Sequence, residues 1–314
     1  MAITKLNLHG RDFIEFTDYT KEEIEYLLDL AIDIKKKQKN GEVYQPLKGK
    51  TIGLIFEKSS TRTRVSFEVG MFQLGGHALF LSKNDIQLGR GETIGDTAQV
   101  LSRYLDGIMI RTFAHSNITE LAKYADIPVI NGLSDDAHPC QVLADFQTVL
   151  EHKGKLKGLK MAYVGDGNNM AHSLMLGAAK LGVHVSVASP KGYEPSAAIV
   201  DQAKSIATET GAEVVVTNSA QEAVQDADII YTDVWASMGF EEEQKEREAA
   251  FADYQVNEEL VKGAKPDYIF LHCLPAHRGE EVSEGVIDGP NSAIFDQAEN
   301  RLHAQKALMA ALMG

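Results

Sequence analysis

Short apolar runs alternate with helix-length stretches along almost the whole chain, and this alternation limits the possible folds more than any other feature of the sequence. The runs predict strands at residues 51–56, 78–81, 107–110, 128–130, 160–164, 184–188, 213–216, 228–231 and 268–271. Strands that alternate with helices indicate parallel sheets covered on both faces. We therefore predict an α/β fold.

Helix signals lie before and between these runs. Thr20 and Glu23 have the spacing of a capping box, and Ile24, Leu27 and Ala31 follow on one stripe. Further stripes occur at residues 67, 71 and 74 and at residues 100, 101 and 104. A charged stretch predicts a helix at 241–248, and the last helix is expected at about 297–313.

The length and composition indicate a globular protein of two domains. The chain has 314 residues, 44% apolar and 24% charged, and a polar, glycine-bearing segment at 152–158 marks a break between two halves. The net charge of −14 argues against nucleic acid or an anionic membrane surface as a partner. Two cysteines suggest no disulfide framework, and the first residues lack an apolar signal core, so we expect a reducing cytoplasm.

A hydroxyl- and arginine-rich turn at residues 59–64 (SSTRTR) follows the first predicted strand and opens a helix. The first backbone N–H groups of a helix lack intrahelical partners, and the helix dipole favours negative charge there. Arginine adds a planar fork that matches phosphate oxygens. This segment therefore predicts an anion site, which we call the anion turn.

Two later segments also carry polar side chains next to predicted element ends. His138 and Gln141 flank Pro139, which suits the first position of a helix, and both side chains can donate to a carbonyl oxygen. His272 and Cys273 end an apolar run. Open α/β sheets bind ligands at the carboxyl ends of their strands, so these residues are candidates for the same site.

Together these segments resemble the aspartate/ornithine carbamoyltransferase family. The anion turn and residues 138–141 (HPCQ) are similar to the carbamoyl phosphate half that the aspartate and ornithine branches share. Residues 233–239 (DVWASMG), 272–275 (HCLP) and 299–301 (ENR) are similar to the ornithine branch. The resemblance runs from about Phe13 to Leu312 with its motifs in the family's order.

The resemblance implies two substrate-binding domains. Residues 1–150, with the C-terminal helix of about 297–314 packed back on them, would bind carbamoyl phosphate, and residues 151–296 would bind ornithine. The implied carbamoyl phosphate residues are Ser60, Thr61, Arg62, Thr63, Gln87, Arg111, His138, Pro139, Cys140, Gln141, Cys273, Leu274 and Arg301. The implied ornithine residues are Asn169, Asp233, Ser237 and Met238. Arg111, His138, Asp233, Cys273 and Arg301 would be catalytic.

Carbamoyl transfer makes two chemical demands on such residues. The leaving phosphate gains charge, so contacts from the anion turn and Arg111 would tighten in the transition state. The attacking amine has an unperturbed pKa near ~10.4 and must lose a proton, which desolvation assists. By resemblance Asp233 holds an amino group, and Cys273 either takes a proton or only positions the amine.

Taken singly, each of these residues also has a purely structural explanation. The anion turn could be a polar cap with solvated arginines, and Arg111 a surface ion-pair partner. His138 could be a core or capping histidine, and Cys273 an inert buried thiol. The segment 237–239 could be a plain loop.

Two cofactor interpretations fit the sequence poorly. Gly165 and Gly167 follow a strand, but Met170 stands where the third glycine of a dinucleotide fingerprint belongs, and no acidic residue closes the next strand. His272, Cys273 and His277 are too loosely spaced for a zinc site and lack a second ligand pair. We expect no cofactor and no metal.

The resemblance also implies an assembly and leaves rivals for the substrate. Gln87, which we place in a loop, would cross to a neighbouring subunit, so that a homotrimer is the smallest active unit. A putrescine carbamoyltransferase is the nearest rival, although that branch lacks the Ser-Met-Gly loop at 237–239. An aspartate enzyme would need a cationic pocket, which Asp233 and Cys273 contradict. A catalytically silent relative that binds metabolites is the rival of another class.

Overall fold

The computed structural model describes residues 6–237 and 241–314. The chain divides into two compact units, which we call unit 1 (Met1–Gln147 with Glu299–Gly314) and unit 2 (Thr148–Ala298). The chain leaves unit 1 within one helix, Pro139–Lys153, and returns to it within another, Ile294–Met313. None of the helices in these ranges is long and apolar enough to cross a membrane.

Unit 1 is built on a four-stranded parallel sheet of order β2-β1-β3-β4. Its strands are β1 (Thr51–Phe56), β2 (His77–Ser82), β3 (Gly107–Arg111) and β4 (Val129–Leu133). Its helices are α1 (Lys21–Lys39), α2 (Thr61–Gln73), α3 (Ile94–Leu101), α4 (His115–Tyr124) and the start of α5 (Pro139–Lys153). Every residue of β3 and β4 is buried, as expected for strands covered on both faces.

Unit 2 is built on a five-stranded parallel sheet of order β7-β6-β5-β8-β9. Its strands are β5 (Lys160–Val164), β6 (His184–Ala188), β7 (Val214–Thr217), β8 (Ile229–Thr232) and β9 (Ile269–His272). The helices that follow in the chain are α6 (Asn169–Leu181), α7 (Ala197–Thr210), α8 (Ala220–Val224), α9 (Gln244–Phe251), α10 (Glu284–Ile287) and α11 (Ile294–Met313). The two sheets confirm the predicted α/β fold class.

The C-terminal helix α11 packs back on unit 1, as the resemblance implied. A Cβ at Gly70 in α2 would meet Cε of Met309 at 3.0 Å and Cγ of Lys306 at 3.1 Å, so a larger residue there would have to displace side chains of α11. Lys306 donates to Gln38 at 2.7 Å and to Gln73 at 2.8 Å. Burial lowers the pKa of this ammonium to about 8.

The predicted start of α1 and several predicted strands are confirmed by the structure. The capping box closes at the start of α1, where the Thr20 side chain accepts from the backbone N–H of Glu23, and the Glu23 carboxylate accepts from the Thr20 N–H. The stripe of Ile24, Leu27 and Ala31 is buried. Predicted and observed strands coincide at β1, β5 and β6 and differ by a few residues elsewhere.

Several predicted boundaries were wrong. The charged stretch begins with a 3-10 turn, Glu241–Glu243, and the helix runs Gln244–Phe251. Helix α3 ends at Leu101, which packs against the core of unit 1. Val100 is 46% and Tyr104 75% exposed, so two of the three residues of the stripe predicted there do not face the core. Arg111 is the last residue of β3 rather than the residue after it, and α11 begins at Ile294.

In each sheet the order in which the chain adds strands reverses at one point, and polar residues follow the strands on either side of that point. In unit 1 the chain moves from β1 outward to β2 and then back across to β3, so the switch point lies between β1 and β3. In unit 2 the corresponding point lies between β5 and β8. Open parallel sheets bind ligands outside the carboxyl ends of strands at such points, so each unit has its own candidate site residues in the segments that follow its two strands.

Candidate active site

The anion turn follows β1 at the switch point of unit 1. Ser60 caps α2, and its hydroxyl accepts from the backbone N–H of Thr63 at 3.2 Å. Thr61 and Arg62 are the first two helical residues, exposed and half-buried respectively, whereas Thr63 is buried. The turn thus presents a helix N-terminus and a guanidinium together, the arrangement that suits an anion.

Arg301 connects three separate helices of unit 1. Its Nη1 donates to Oε1 of Gln141 at 2.5 Å, and its Nη2 donates to Oγ1 of Thr63 at 3.1 Å. Gln141 in turn donates to Oδ1 of Asp145 at 2.8 Å, which fixes the direction of its amide. All four side chains are buried, so these bonds hold the predicted residues in one geometry.

His138 lies where the positive charges of unit 1 converge. Burial lowers its pKa well below the ordinary value, and Arg301, Arg111 and Arg62 lower it further. The imidazole is therefore neutral at physiological pH, with one nitrogen able to donate and the other able to accept. A neutral donor can polarise a carbonyl oxygen without adding a full charge.

Pro139 and Cys140 begin α5, and Cys140 faces the interior. The Cys140 thiol donates to the carbonyl oxygen of Asn131 at 3.2 Å, and burial raises its pKa to about 12. A thiol this difficult to ionise is not a nucleophile, so Cys140 contributes packing and a weak hydrogen bond.

Lys58 joins two of the predicted segments, and sequence reasoning did not find it. Its side chain is only 6% exposed, forms an ion pair with Asp135 and lies 4.4 Å from the ring centre of Phe113. It stands just before the anion turn, whereas Asp135 stands just before His138. Lys58 therefore ties the loop after β1 to the loop after β4 across β3.

Gln87 begins a 3-10 turn, Gln87–Arg90, instead of lying in the predicted loop, and its side chain is exposed. The turn follows β2, so Gln87 lies on a different segment of unit 1 from the anion turn.

In unit 2 the thiol of Cys273 meets the carboxylate of Asp233. Cys273 Sγ donates to Oδ1 of Asp233 at 3.0 Å, and the same oxygen accepts from the backbone N–H of Val234 at 2.8 Å. Asp233 follows β8, and Cys273 follows β9, the neighbouring strand. Two residues predicted on separate motifs are thus in direct contact.

Asn168, which was not among the predicted residues, makes hydrogen bonds that reach this pair. Asn169 is the first residue of α6, and Asn168 is its cap. The Asn168 amide nitrogen donates to Oδ2 of Asp233 at 3.1 Å and to Oγ of Ser237 at 3.3 Å. The signal that could have found it is its cap position, which favours Asn immediately before a helix.

The backbone around Cys273 and Leu274 is held by a buried pair. His272 and Glu281 are fully buried, and Nε2 of His272 lies 3.1 Å from Oε1 of Glu281. The Leu274 N–H donates to Nδ1 of His272 at 2.9 Å, so Nε2 carries the ring proton and donates to Glu281. These bonds stabilise the backbone of Leu274 at φ 57°, a left-handed conformation that residues other than glycine rarely adopt.

Ser237 lies at the edge of the described structure, and Met238 lies outside it. The segment before Ser237 is anchored by buried Arg247, which donates to the carbonyl oxygen of Trp235 at 2.9 Å and to Asp166 at 2.8 Å. Desolvation raises the pKa of the Asp166 carboxyl, and the Arg247 charge opposes that rise. Arg247 thus links the loops after β5 and β8.

Two groups of side chains in the described ranges offer three potential metal ligands each. Asp233, His272 and Cys273 form one, and His277, Glu280 and Glu281 form the other, with the ligand atoms of each group within 4.8 Å of one another. In the first group Cys273 donates a hydrogen bond to Asp233. That bond matches a protonated thiol, whereas a metal ligand would be a thiolate.

Two family models together match almost all of the chain. Residues 11–151 match the carbamoyl-P binding domain of aspartate/ornithine carbamoyltransferases, and residues 157–312 match the Asp/Orn binding domain of the same proteins.

Individual relatives are similar over their whole length. The ornithine carbamoyltransferase of Anoxybacillus flavithermus is 68% identical over 98% of this chain and 98% of its own. That of Bacillus subtilis is 60% identical over 99% and 97%. The solved structure of the Pyrococcus furiosus ornithine carbamoyltransferase superposes with a TM-score of 0.96 at 58% identity, covering 98% of this chain and 99% of its own.

Proposed function

The chain belongs to the aspartate/ornithine carbamoyltransferase family, and we propose that it transfers the carbamoyl group of carbamoyl phosphate to the side-chain amine of L-ornithine, giving L-citrulline and phosphate. The observation that carries the choice of acceptor is the Cys273–Asp233 contact at 3.0 Å. An anionic carboxylate with a neutral donor suits an amino group and would repel the second carboxylate of aspartate.

Unit 1 supplies the carbamoyl phosphate half of this proposal. Ser60, Thr61, Arg62 and Thr63 bind the phosphate with Arg111, because a helix N-terminus and two guanidinium groups concentrate positive charge there. Charge on phosphate grows as the C–O bond breaks, so these contacts stabilise the transition state more than the ground state. His138, Gln141 and Arg301 bind the oxygen or the amide group of the carbamoyl moiety. Pro139 and Cys140 line the pocket.

Unit 2 supplies the ornithine half. Asp233 holds an amino group of ornithine, and Asn169, Ser237 and Met238 bind the amino-acid end. Cys273 and Leu274 line the pocket next to the attacking amine. The amine attacks the carbonyl carbon, a C–N bond forms, the C–O bond to phosphate breaks, and the amine gives up a proton. Carbamoyl phosphate binds first, and no metal or cofactor takes part.

We further propose that the active assembly is a cytoplasmic homotrimer. The exposed position of Gln87 supports this, because an exposed side chain is available to contact a neighbouring subunit. Neither nucleic acid nor a membrane is a partner, in keeping with the net charge of −14.

An acceptor panel tests the proposal. Phosphate release from carbamoyl phosphate would be followed with L-ornithine, putrescine or L-aspartate, and corrected for breakdown without enzyme. Turnover with ornithine should exceed that with the other two acceptors by at least about a hundredfold, because the wrong acceptor leaves polar groups of the site unpaired. Faster turnover with putrescine would overturn the choice of ornithine as the acceptor. No enzyme-dependent phosphate release with any of the three acceptors would favour a catalytically inactive relative.

A further inference from the structure

Asn168 is a heavily bonded side chain of the unit 2 site that the proposed mechanism does not use. Its Oδ1 accepts from the backbone N–H groups of Met170 at 2.9 Å and Ala171 at 3.3 Å. The same oxygen accepts from the hydroxyl of Tyr163 at 3.3 Å. Its Nδ2 donates to Asp233 and Ser237, so both ends of the amide have partners.

These partners fix which way the amide faces. Two backbone N–H groups can only donate, so the atom they meet must be the oxygen. Burial raises the pKa of Tyr163 well above its ordinary value, and its hydroxyl therefore stays protonated and also donates. The nitrogen consequently points at Asp233, whose other oxygen is already bonded to Val234 and Cys273.

The chemistry of this position requires an amide. Aspartate is an equally good helix cap and suits the helix dipole, so capping alone does not select Asn. An aspartate here would set a second carboxylate about 3 Å from Oδ2 of Asp233, where like charges repel. An amide accepts from the helix through its oxygen and, without carrying a charge, donates to the carboxylate through its nitrogen.

We propose that Asn168 is a positioning residue for the ornithine half of the reaction. It bonds to one oxygen of the Asp233 carboxylate while Cys273 bonds to the other, and it also bonds to Ser237. The inference rests on the proposed function, because it assigns Asn168 to the ornithine step and not to carbamoyl phosphate.

The test compares two variants of Asn168 that still cap α6 but no longer donate a hydrogen bond to Asp233. Asn168→Asp retains an acceptor for α6 and replaces the donated hydrogen with a carboxylate oxygen. Asn168→Ser retains a shorter cap that does not reach Asp233. Ser219→Ala is the matched control, because Ser219 caps α8 in the same unit and accepts from Glu222 at 3.2 Å, away from the site.

Ornithine KM should rise about 10- to 100-fold in Asn168→Asp, in line with the loss of a hydrogen bond to a charged group, with a smaller rise in Asn168→Ser. The dissociation constant for carbamoyl phosphate, measured by calorimetry, should stay within about twofold of wild type in both variants and in the control. The defect of Asn168→Asp relative to wild type should shrink as the pH falls towards about 6, because the introduced carboxyl group can donate again once it is protonated.

Three outcomes separate the possibilities. A wild-type ornithine KM in Asn168→Asp would overturn the inference and leave the proposed function intact. Equal losses of ornithine and carbamoyl phosphate binding would also overturn it, since they indicate a general folding defect. Wild-type enzyme that does not use ornithine would instead overturn the proposed function on which the inference rests.

Discussion

Cys273 donates its thiol hydrogen to the carboxylate of Asp233 over 3.0 Å, although the two residues are 40 positions apart in the chain. Neighbouring strands β8 and β9 end side by side, so their loops bring the thiol and the carboxylate into contact. A carboxylate held in this way can accept a proton from the amine or orient the amine. A variant without the thiol therefore tests this role of unit 2 separately from carbamoyl phosphate binding.

Replacing Cys273 should slow the chemical step and leave carbamoyl phosphate binding nearly unchanged. Cys273→Ala removes a donor in unit 2, so kcat should fall at least about tenfold while the dissociation constant for carbamoyl phosphate stays within about twofold. Cys273→Ser restores a donor and should recover part of kcat. Steady-state kinetics with calorimetry would check this, and parallel losses of both quantities would contradict it.

Two arginines of the anion turn should differ sharply in importance. Arg62 is the second residue of α2, whereas Arg64 bonds to Glu68 at 2.9 Å and stacks over Phe80 at 3.6 Å. Arg62→Ala should weaken carbamoyl phosphate binding about a hundredfold or more, and Arg64→Ala should change it less than about threefold. Near-normal affinity in Arg62→Ala would refute the anion site.

The Lys58–Asp135 pair should act as one unit. Breaking it should misplace both the anion turn and the loop before His138, so Lys58→Met and Asp135→Asn should each raise the KM for carbamoyl phosphate about tenfold. The double variant should be little worse than either single one, because the interaction is lost only once. Additive effects in this double-mutant cycle would show that the two residues act independently.

The free energy of unfolding should depend on pH through the ionisation of Glu15. Burial raises its pKa from 4.5 to about 7, with repulsion from Asp18 and Asp136 adding to the rise. The folded chain thus binds the proton more tightly than the unfolded chain, and the stability from Glu15 is lost as the pH rises from about 4.5 to about 7.

The variant Glu15→Gln tests this directly, because its side chain stays neutral. With the Glu15 side chain 23% exposed, the variant should exceed wild type in unfolding free energy by about 1–2 kcal/mol at about pH 8. The gap should close towards about pH 5. Urea unfolding at both pH values measures it, and an equal gap at the two values would exclude Glu15 as the source.

The sequence alone supported much of the fold and the approximate location of the candidate site. Arg62 and Arg111 lie at or shortly after strands of the unit 1 sheet, and Asp233 directly follows a strand of the unit 2 sheet; within one parallel sheet such ends share one edge. That inference needs only local periodicity. The resemblance to a known family then supplied roles for these residues that periodicity could not.

The connections between these residues were not predictable from spacing. Arg301 reaches Thr63 across 238 positions and Lys58 reaches Asp135 across 77, and both contacts depend on how helices and loops pack. The Asn168 cap of α6 reaches Asp233 across 65 positions and Ser237 across 69. Helix boundaries are set by caps and tertiary packing, which a single sequence only partly encodes.

The most direct test of carbamoyl transfer follows the new bond itself. Carbamoyl phosphate labelled with ¹³C would be mixed with L-ornithine labelled with ¹⁵N at the side-chain amine, and the product examined by NMR beside a sample without enzyme. We predict enzyme-dependent citrulline with a one-bond ¹³C–¹⁵N coupling and one phosphate released per citrulline. Release of phosphate without that coupling would contradict transfer to the ornithine side chain.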